Sequence, residues 1–362
     1  MVLHLTQKLT DRLELSALPT MAEDNLFSWR AHYIQENGFQ FFVFMNEASR
    51  FTVVIDDTKA VKLKNLPEIF ITKLRAALLA HCINPEVVDR YIAELGEISY
   101  ARNADRKKTL QLNQNVEEMW MALQRWDSDA DVSFCVNKML FRFPTIAKLT
   151  TPELKIRELL AKYDLPVVKF KAFDLTVRLL LDDVDAVRNV RVSANISFRQ
   201  LHKILQRAFC WQDYHLCSFG LVKEWGENYY RDSDVRLVFD EEDLEYYPDA
   251  KLMGEVKLSD FIPEYKKIQY IYDFGDGWIH LIELTDTIEG CEEIVPLLLS
   301  GEGDAPPEDS GGIGGFADFL DIISDPKHEE YHSMTEWAKD QCWERFDYEK
   351  ATKRVKYALG YL

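Results

Sequence analysis

Carboxylates and imidazoles gather in three neighbouring stretches of this 362-residue chain. Asp273, Asp276 and His280 lie in Q-Y-I-Y-D-F-G-D-G-W-I-H-L, Glu308 and Asp309 in G-E-G-D-A-P-P-E-D-S-G-G, and His328 and Glu329 in D-P-K-H-E-E. Oxygen and nitrogen donors of these kinds suit a hard or borderline divalent ion. Asp273, His280, Glu308, Asp309 and His328 are the candidate ligands, and a divalent metal is the one cofactor the residue types suggest. An open position on such an ion would activate water for phosphoester or amide hydrolysis. Without a metal, Asp273 would orient His280 as a general base, so Asp273, His280 and Glu308 are the candidate catalytic residues. Trp211, His215, Asp276, Trp278, Asp309, His328 and Glu329 are the candidate binding residues. The spacing matches neither H-E-x-x-H nor H-x-E with C-x-x-C, and no Ser or Cys nucleophile is placed beside the cluster.

The same residues also read as framework. Asp276-Gly277 supplies a turn that needs positive φ, Pro306-Pro307 fixes an extended loop, and Gly311-Gly312 and Gly314-Gly315 permit chain reversal. Glu308-Asp309 reads as a cap for the next element. Asp325-Pro326 reads as a helix start with Lys327–Glu330 in its first turn. Asp273 with His280 would then be a buried, fold-specifying pair. His215, among Trp211, Tyr214 and Phe219, is either a ligand or base or a satisfied, part-buried residue.

The element that must position the first stretch is a hairpin, because Asp276-Gly277 separates two apolar runs rich in aromatics. With those two residues as the loop, Gly275 faces Trp278 and Asp273 faces His280 on one sheet face. Upstream, strands are expected at Phe170–Leu180 and Val187–Val192. A helix at Phe198–Phe209 carries Leu201, Ile204, Leu205 and Phe209 on one side, and it exits through Trp211–Phe219 into a further strand. Phe239–Asp249 lacks calcium-loop spacing and reads as a solvated acidic face. The first half reads as a short strand and helix (Leu3–Leu13), then a meander of Phe27–Tyr33, Phe39–Met45 and Arg50–Ile55 with a turn at Gln35–Gly38. Helices are expected from Asn65 and from Asn84-Pro85-Glu86, at Gln114–Trp126 and at Val132–Phe141. A strand near Glu97–Ala101 and a basic turn, Arg102–Lys108, lie between them. The expected architecture is α+β, with two domains, each an antiparallel sheet packed with helices. Residues 1–150 form the first, 151–165 a linker helix and 166–362 the second.

Charge is placed unevenly. Residues 166–362 carry 22 Lys+Arg against 39 Asp+Glu, a net of −17, while residues 1–165 carry 21 against 22. An acidic surface repels phosphate backbones, so nucleic-acid binding is disfavoured for the second half and left to the first. It suits a cation, a basic partner or simple solubility, and solubility alone accounts for most of the excess. The four positive charges Arg102, Arg106, Lys107 and Lys108 fall short of a nucleic-acid footprint. No run approaches the apolar length of a membrane span, and the start lacks the continuous apolar stretch of a secretion signal. Six cysteines without C-x-x-C spacing point to free thiols in a reducing cytoplasm.

H-L-T-Q-K-L-T at the start, then F-F-V-F-M-N-E-A-S-R-F-T-V-V and N-A-D-R-K-K-T-L-Q-L-N, resemble a bacterial domain of unknown function over residues 1–147. That resemblance implies no activity. Around Leu110–Asn113 the family's Gly and Met are replaced. W-Q-D-Y-H-L-C-S-F, Y-I-Y-D-F-G-D-G-W-I-H, A-P-P-E-D-S-G-G-I-G-G-F and D-P-K-H-E-E resemble, over residues 168–360, the plasmid-Ri Orf-three-like family, also labelled insertion-element passenger TnpR proteins. The resemblance implies an α+β domain carried by plasmids and mobile elements, with no established chemistry. Recombinase chemistry of the resolvase kind does not fit, since it needs a nucleophilic Ser among Arg residues on a basic surface. The chain departs from the family at Asp185–Arg191, where prolines and a Trp are lost. Ala305 and Ser310 stand where many members have Cys, which rules out a thiolate site there.

The leading expectation is a noncatalytic accessory or adaptor protein of a mobile-element or defence context. It would bind a protein or small ligand through the acidic second domain. The alternative is a metal-dependent hydrolase, of nuclease type, on the Asp/His/Glu cluster. A third is DNA regulation through the first domain.

Overall fold

Alternation of apolar side chains sorts the first sheet into two faces, each with its own core. Leu3, Leu5, Trp29, Ala31, Phe42 and Phe44 point into one core and Ile34, Phe41, Val43, Met45 and Val54 into the other. The computed structural model describes the chain apart from residues 17, 22–25, 37, 57, 60, 126–131, 144–148, 183–184, 229–231 and 360–362. It divides into two units, residues 1–170 and 171–359, and both are α+β. Asn37 in the expected turn and Trp126 at the expected helix end lie outside the described residues.

The first unit runs β1 (Val2–Leu5), α1 (Gln7–Arg12), β2 (Ser28–Glu36), β3 (Phe39–Asn46), β4 (Thr52–Ile55), α2 (Leu66–Ala80), α3 (Pro85–Leu95), β5 (Ser99–Arg102), α4 (Arg106–Arg125), α5 (Val132–Lys138) and α6 (Pro152–Leu160). The sheet order is β4-β3-β2-β1-β5, and β1 lies parallel to both its neighbours, so the sheet is mixed. The helices α2, α3 and α6 carry Phe70, Leu74, Val88, Tyr91, Ile156 and Leu160 into the first core. The segment expected as a linker helix is therefore packed into this unit. The basic run is not a turn beyond Asp105. Asp105 Oδ1 accepts from the N–H groups of Lys107 and Lys108, and α4 starts at Arg106. Asn46 and Arg50, on which the resemblance of this half rests, are turn framework. Asn46 Oδ1 accepts from the N–H groups of Ala48 and Ser49, and the buried Arg50 reaches Asn115 Oδ1 and the carbonyl of Gln111.

The second unit runs β6 (Phe170–Leu179), β7 (Ala186–Ser193), α7 (Phe198–Phe209), β8 (Cys217–Val222), β9 (Val235–Val238), α8 (Asp243–Tyr246), β10 (Lys251–Leu252), α9 (Leu258–Phe261), β11 (Lys267–Tyr272), β12 (Trp278–Cys291), β13 (Leu297–Glu302), α10 (Gly312–Ser324), α11 (Tyr331–Asp340) and α12 (Tyr348–Lys356). Its eight strands are ordered β10-β9-β8-β11-β12-β6-β7-β13. The expected apolar face of α7 is buried, Leu201, Ile204, Leu205 and Phe209 alike. Each such side chain contributes about 1.5–3 kcal/mol. A reciprocal cap between Ser197 and Gln200 sets where α7 begins. Among the described residues, no helix is long and apolar enough to cross a membrane.

The central hairpin corrects the expected register by three residues. Tyr270 pairs with His280 and Tyr272 with Trp278, leaving Asp273–Gly277 as a five-residue loop. Asp273 therefore does not face His280. The cause is Asp273 itself. Its Oδ1 accepts from the N–H groups of Gly275 and Asp276, and its carbonyl accepts from Gly277 N–H, so the reversal begins three residues before Asp276-Gly277. Asp273 takes φ +56 and Gly277 φ +74 to close the turn. The expected helix start at Asp325-Pro326 is corrected too. Asp325 holds a turn through Lys327 and His328 N–H, and α11 starts only at Tyr331.

Candidate functional site

Three chain segments meet at one end of the central strands: the α7–β8 connection (residues 210–216), the β11–β12 loop and the β13–α10 connection (residues 303–311). A buried frame ties them. Trp211 stacks on Tyr272, with centroids 4.9 Å apart and planes at 26°, and its Nε1 donates to the carbonyl of Pro306 at 2.9 Å. The Tyr272 hydroxyl donates to Glu308 Oε1 and accepts from the N–H groups of Tyr214 at 3.0 Å and His215 at 3.4 Å. Glu308 Oε2 accepts from Gln212 N–H at 3.0 Å. Burial, and then the neighbouring Glu308 carboxylate, push the Tyr272 hydroxyl well above the usual tyrosine range, so it remains a donor. Backbone bonds complete the tie. Asp273 N–H donates to the carbonyl of Leu216 at 3.0 Å, and Gly311 N–H to Asp276 Oδ2 at 3.1 Å. Gly312, at φ +73, packs its Cα so close to the carbonyl of Asp276 that a Cβ would lie 3.0 Å from the oxygen.

Each frame segment also carries a residue that turns toward a shared cluster. Next to Tyr272 is Asp273, next to Glu308 is Asp309, and between Tyr214 and Leu216 is His215. His215 Nε2 lies 3.5 Å from Asp273 Oδ2 and 3.2 Å from Asp309 Oδ1. Among the described residues, these are the three side chains whose ligand atoms come within 4.8 Å of one another. Asp273 is nearly buried, His215 half-buried and Asp309 open to solvent, its side chain 56% exposed. Asp309, like Asp273, takes a left-handed backbone, φ +58. His215 Nε2 is itself covered and, among the described residues, makes no hydrogen bond, although carboxylate oxygens lie 3.2 and 3.5 Å away.

The other candidates divide into frame, core and surface. Trp211, Glu308 and Trp278 are buried, and Asp276 holds the start of α10. His280 is core. It is fully buried among Phe209, Trp211 and Tyr270, at centroid distances of 4.9, 5.3 and 5.0 Å, with Nδ1 3.2 Å from the carbonyl of Tyr270. Burial lowers its pKa to about 3, so the ring is neutral. As a catalytic base oriented by Asp273, or as a ligand with it, His280 is ruled out by the corrected register. His328 and Glu329 are exposed in the turn between α10 and α11, where His328 Nδ1 accepts from Glu330 N–H, and neither joins the cluster.

Two groups escaped the sequence reading. Tyr272 is the hub of the frame, and its only sequence signal was the alternation Tyr270-Ile271-Tyr272, two amphipathic rings on one face of an apolar strand. The second is a buried relay. Cys217 Sγ lies 3.3 Å from His202 Nδ1, and His202 Nε2 lies 2.7 Å from Asp213 Oδ1. The Tyr270 hydroxyl also approaches His202 Nδ1, at 2.8 Å. A Cys–His–Asp order suits nucleophilic catalysis, but Cys217 and His202 are sealed, and burial raises the thiol well above its ordinary pKa. It is an inert core thiol.

The family model for plasmid pRiA4b ORF-3-like protein matches residues 171–353, and that for a domain of unknown function, DUF6933, matches residues 2–153. An uncharacterized protein of Sinorhizobium fredii, y4hQ, is 33% identical over 171 residues, covering 44% of this chain and 78% of that protein. The crystal structure of a protein of unknown function from Methanosarcina mazei Go1 is 29% identical and covers 49% of this chain and 96% of that one, with a TM-score of 0.42.

Proposed function

We propose that this chain, which belongs to the plasmid pRiA4b ORF-3-like protein family, is a noncatalytic accessory protein. Its second unit binds a cationic ligand at the His215, Asp273 and Asp309 end of the sheet. The observation that carries this reading is the convergence of those three side chains from three separate segments, each fixed by a buried neighbour. A surface cluster that only keeps a protein soluble needs no such frame. The net −17 of residues 166–362 draws cations toward it. Hydrolysis is not assigned. The base expected for it, His280, is a neutral core residue, and the thiol beside His202 is sealed.

The test is a thermal-shift series on the full chain with divalent metals, spermidine and oligo-lysine, run beside Asp309→Asn. A ligand at about a hundred times its Kd stabilises by about 3 kcal/mol. For a unit of this size that raises Tm by on the order of 5–10 °C. The expected result is such a rise in the unsubstituted protein and its loss in the variant. In parallel, phosphomonoester, phosphodiester and peptide substrates are incubated with both proteins. Turnover that Asp309→Asn abolishes would sink the noncatalytic reading.

A further inference from the structure

Two features of the cluster separate one kind of cation from the rest. The first is spacing. Two donors each about 2.1 Å from one ion stand about 3.0 Å apart at a right angle and about 3.4 Å apart at the tetrahedral angle. His215 Nε2 lies 3.2 Å from one carboxylate oxygen and 3.5 Å from the other. These are the separations of atoms sharing an ion. The second is the imidazole. An ammonium or guanidinium uses a ring nitrogen only as one more hydrogen-bond acceptor beside the carboxylate oxygens, whereas a divalent ion takes the lone pair of Nε2 directly as a ligand. That atom is covered, makes no hydrogen bond among the described residues, and lies between two carboxylates at 3.2 and 3.5 Å.

We infer that His215 Nε2, one oxygen of Asp273 and one of Asp309 form a binding site for a borderline divalent metal ion of the Zn2+ or Mn2+ class. This rests on the cation-binding reading above and names its ligand. One nitrogen and two carboxylates suit these ions better than Ca2+, which collects six to eight oxygens, or Mg2+, which gives up its water reluctantly. Support around the ligands is of the kind metal sites use. Asp273 Oδ1 is held by the N–H groups of Gly275 and Asp276, which leaves Oδ2 to face His215. Tyr272 fixes the backbone at His215 and, through Glu308, the residue before Asp309. Exposure of Asp309 gives the ion a way in and leaves its outer positions to water.

Full-length protein freed of metal with EDTA is titrated with Mn2+, the free ion being followed by electron paramagnetic resonance, and then with Zn2+ and Ca2+ in competition. The expected result is one Mn2+ per chain, displaced by Zn2+ and not by Ca2+ at the same concentration. Its Kd should rise at least tenfold in Asp309→Asn and in His215→Gln. Asn tolerates the left-handed backbone at position 309, and a near-UV circular dichroism spectrum unchanged from the parent confirms that the variant folds. Absence of binding below millimolar Mn2+ and Zn2+, or stoichiometric binding that neither substitution weakens, overturns the inference. The broader reading is scored in the same samples. If spermidine or oligo-lysine raises Tm in the parent but not in Asp309→Asn and no metal binds, the metal is overturned and the cation reading stands. If no cation acts, both fall.

Discussion

His280 gives the most direct check on the assignment of core and site. The ring is fully buried in an aromatic cage, and burial takes its pKa from the ordinary 6.5 to about 3. Below pH 6.5 the unfolded chain takes up a proton at this position that the folded chain refuses, so stability falls as pH falls, and it goes on falling until the folded pKa is reached. Each pH unit in that window costs about 1.4 kcal/mol. The loss is therefore about 2 kcal/mol at pH 5 and about 5 kcal/mol below pH 3. The perturbation is His280→Phe, which keeps an aromatic ring between Phe209, Trp211 and Tyr270 and removes the titrating group. It also removes the contact of Nδ1 with the Tyr270 carbonyl, worth about 1 kcal/mol at every pH. That offset leaves the slope untouched. Urea melts of the full chain between pH 7.5 and 4.5, parent beside variant, isolate the term, because other titrating groups, including buried His81, are common to both. The transition that the substitution moves is the one to monitor. The parent should lose about 2 kcal/mol more than the variant between pH 7 and pH 5. Parallel slopes would refute the reasoning and return His280 to solvent or to a charged partner.

Four further outcomes rest on the same structure. Tyr272→Phe leaves Glu308 Oε1 and the N–H groups of Tyr214 and His215 without their hydroxyl partner, so urea melts should show a loss of about 3 kcal/mol, with weaker cation binding at His215. Gly312→Ala places a methyl 3.0 Å from the Asp276 carbonyl at φ +73 and should cost about 1–3 kcal/mol. Gly314→Ala meets nothing within 4 Å on α10 and should stabilise by up to about 1 kcal/mol, so the two changes should move Tm in opposite directions. In the first unit, burial alone would raise the Glu153 carboxyl, but Lys138, His81 and Arg157 overcome it and hold the group far below the carboxylate range. Its contribution is present above about pH 4.5 and lost in stronger acid. Glu153→Gln should therefore destabilise by about 3 kcal/mol at pH 7, with the gap closing as pH falls through the acid range in urea melts. Iodoacetamide should label exposed Cys342 first and Cys217 only when the chain unfolds, as peptide mass spectrometry would read.

Much of the fold was legible because it rests on short-range rules. The face of α7 is set by Leu201, Ile204, Leu205 and Phe209 and its start by Ser197 and Gln200, all within one helix length. Asn84-Pro85 placed α3 for the same reason, with the Asn side chain accepting from Glu86 N–H. What failed was competition between neighbouring signals. Asp276-Gly277 is the stronger hairpin dipeptide by composition, yet Asp273 reaches two N–H groups ahead of it and starts the reversal early. A register error of three residues moved one carboxylate from a core histidine to a surface one. Parallel pairing of β1 with β2 and β5 depends on contacts far apart in sequence, and no local pattern announces it.

The site was legible in its residue types and illegible in its partnership. His215, Asp273 and Asp309 were all candidates by type, but 58 and 36 positions separate them, and only the sheet decides which carboxylate meets which imidazole. Two histidines competed for Asp273, and composition favoured His280 because it lies in the same hairpin. Burial reverses that choice. A histidine that enters a cage of Phe209, Trp211 and Tyr270 must stay neutral, and its polar contacts there are to backbone alone, at Tyr270 and Trp278. His215, left at the edge, keeps a nitrogen that nothing among the described residues satisfies by a hydrogen bond. The dense motifs of the second unit therefore alternate in purpose along their length. Tyr272 and Glu308 turn inward to hold the segments, and the next residue in each case, Asp273 or Asp309, turns toward His215. A frame residue and a ligand residue in adjacent positions cannot be told apart by type when both are acidic, as Glu308 and Asp309 are. Their separation needs the direction of each side chain, which is set by the left-handed backbone at Asp309 and by the hydroxyl of Tyr272 waiting for Glu308.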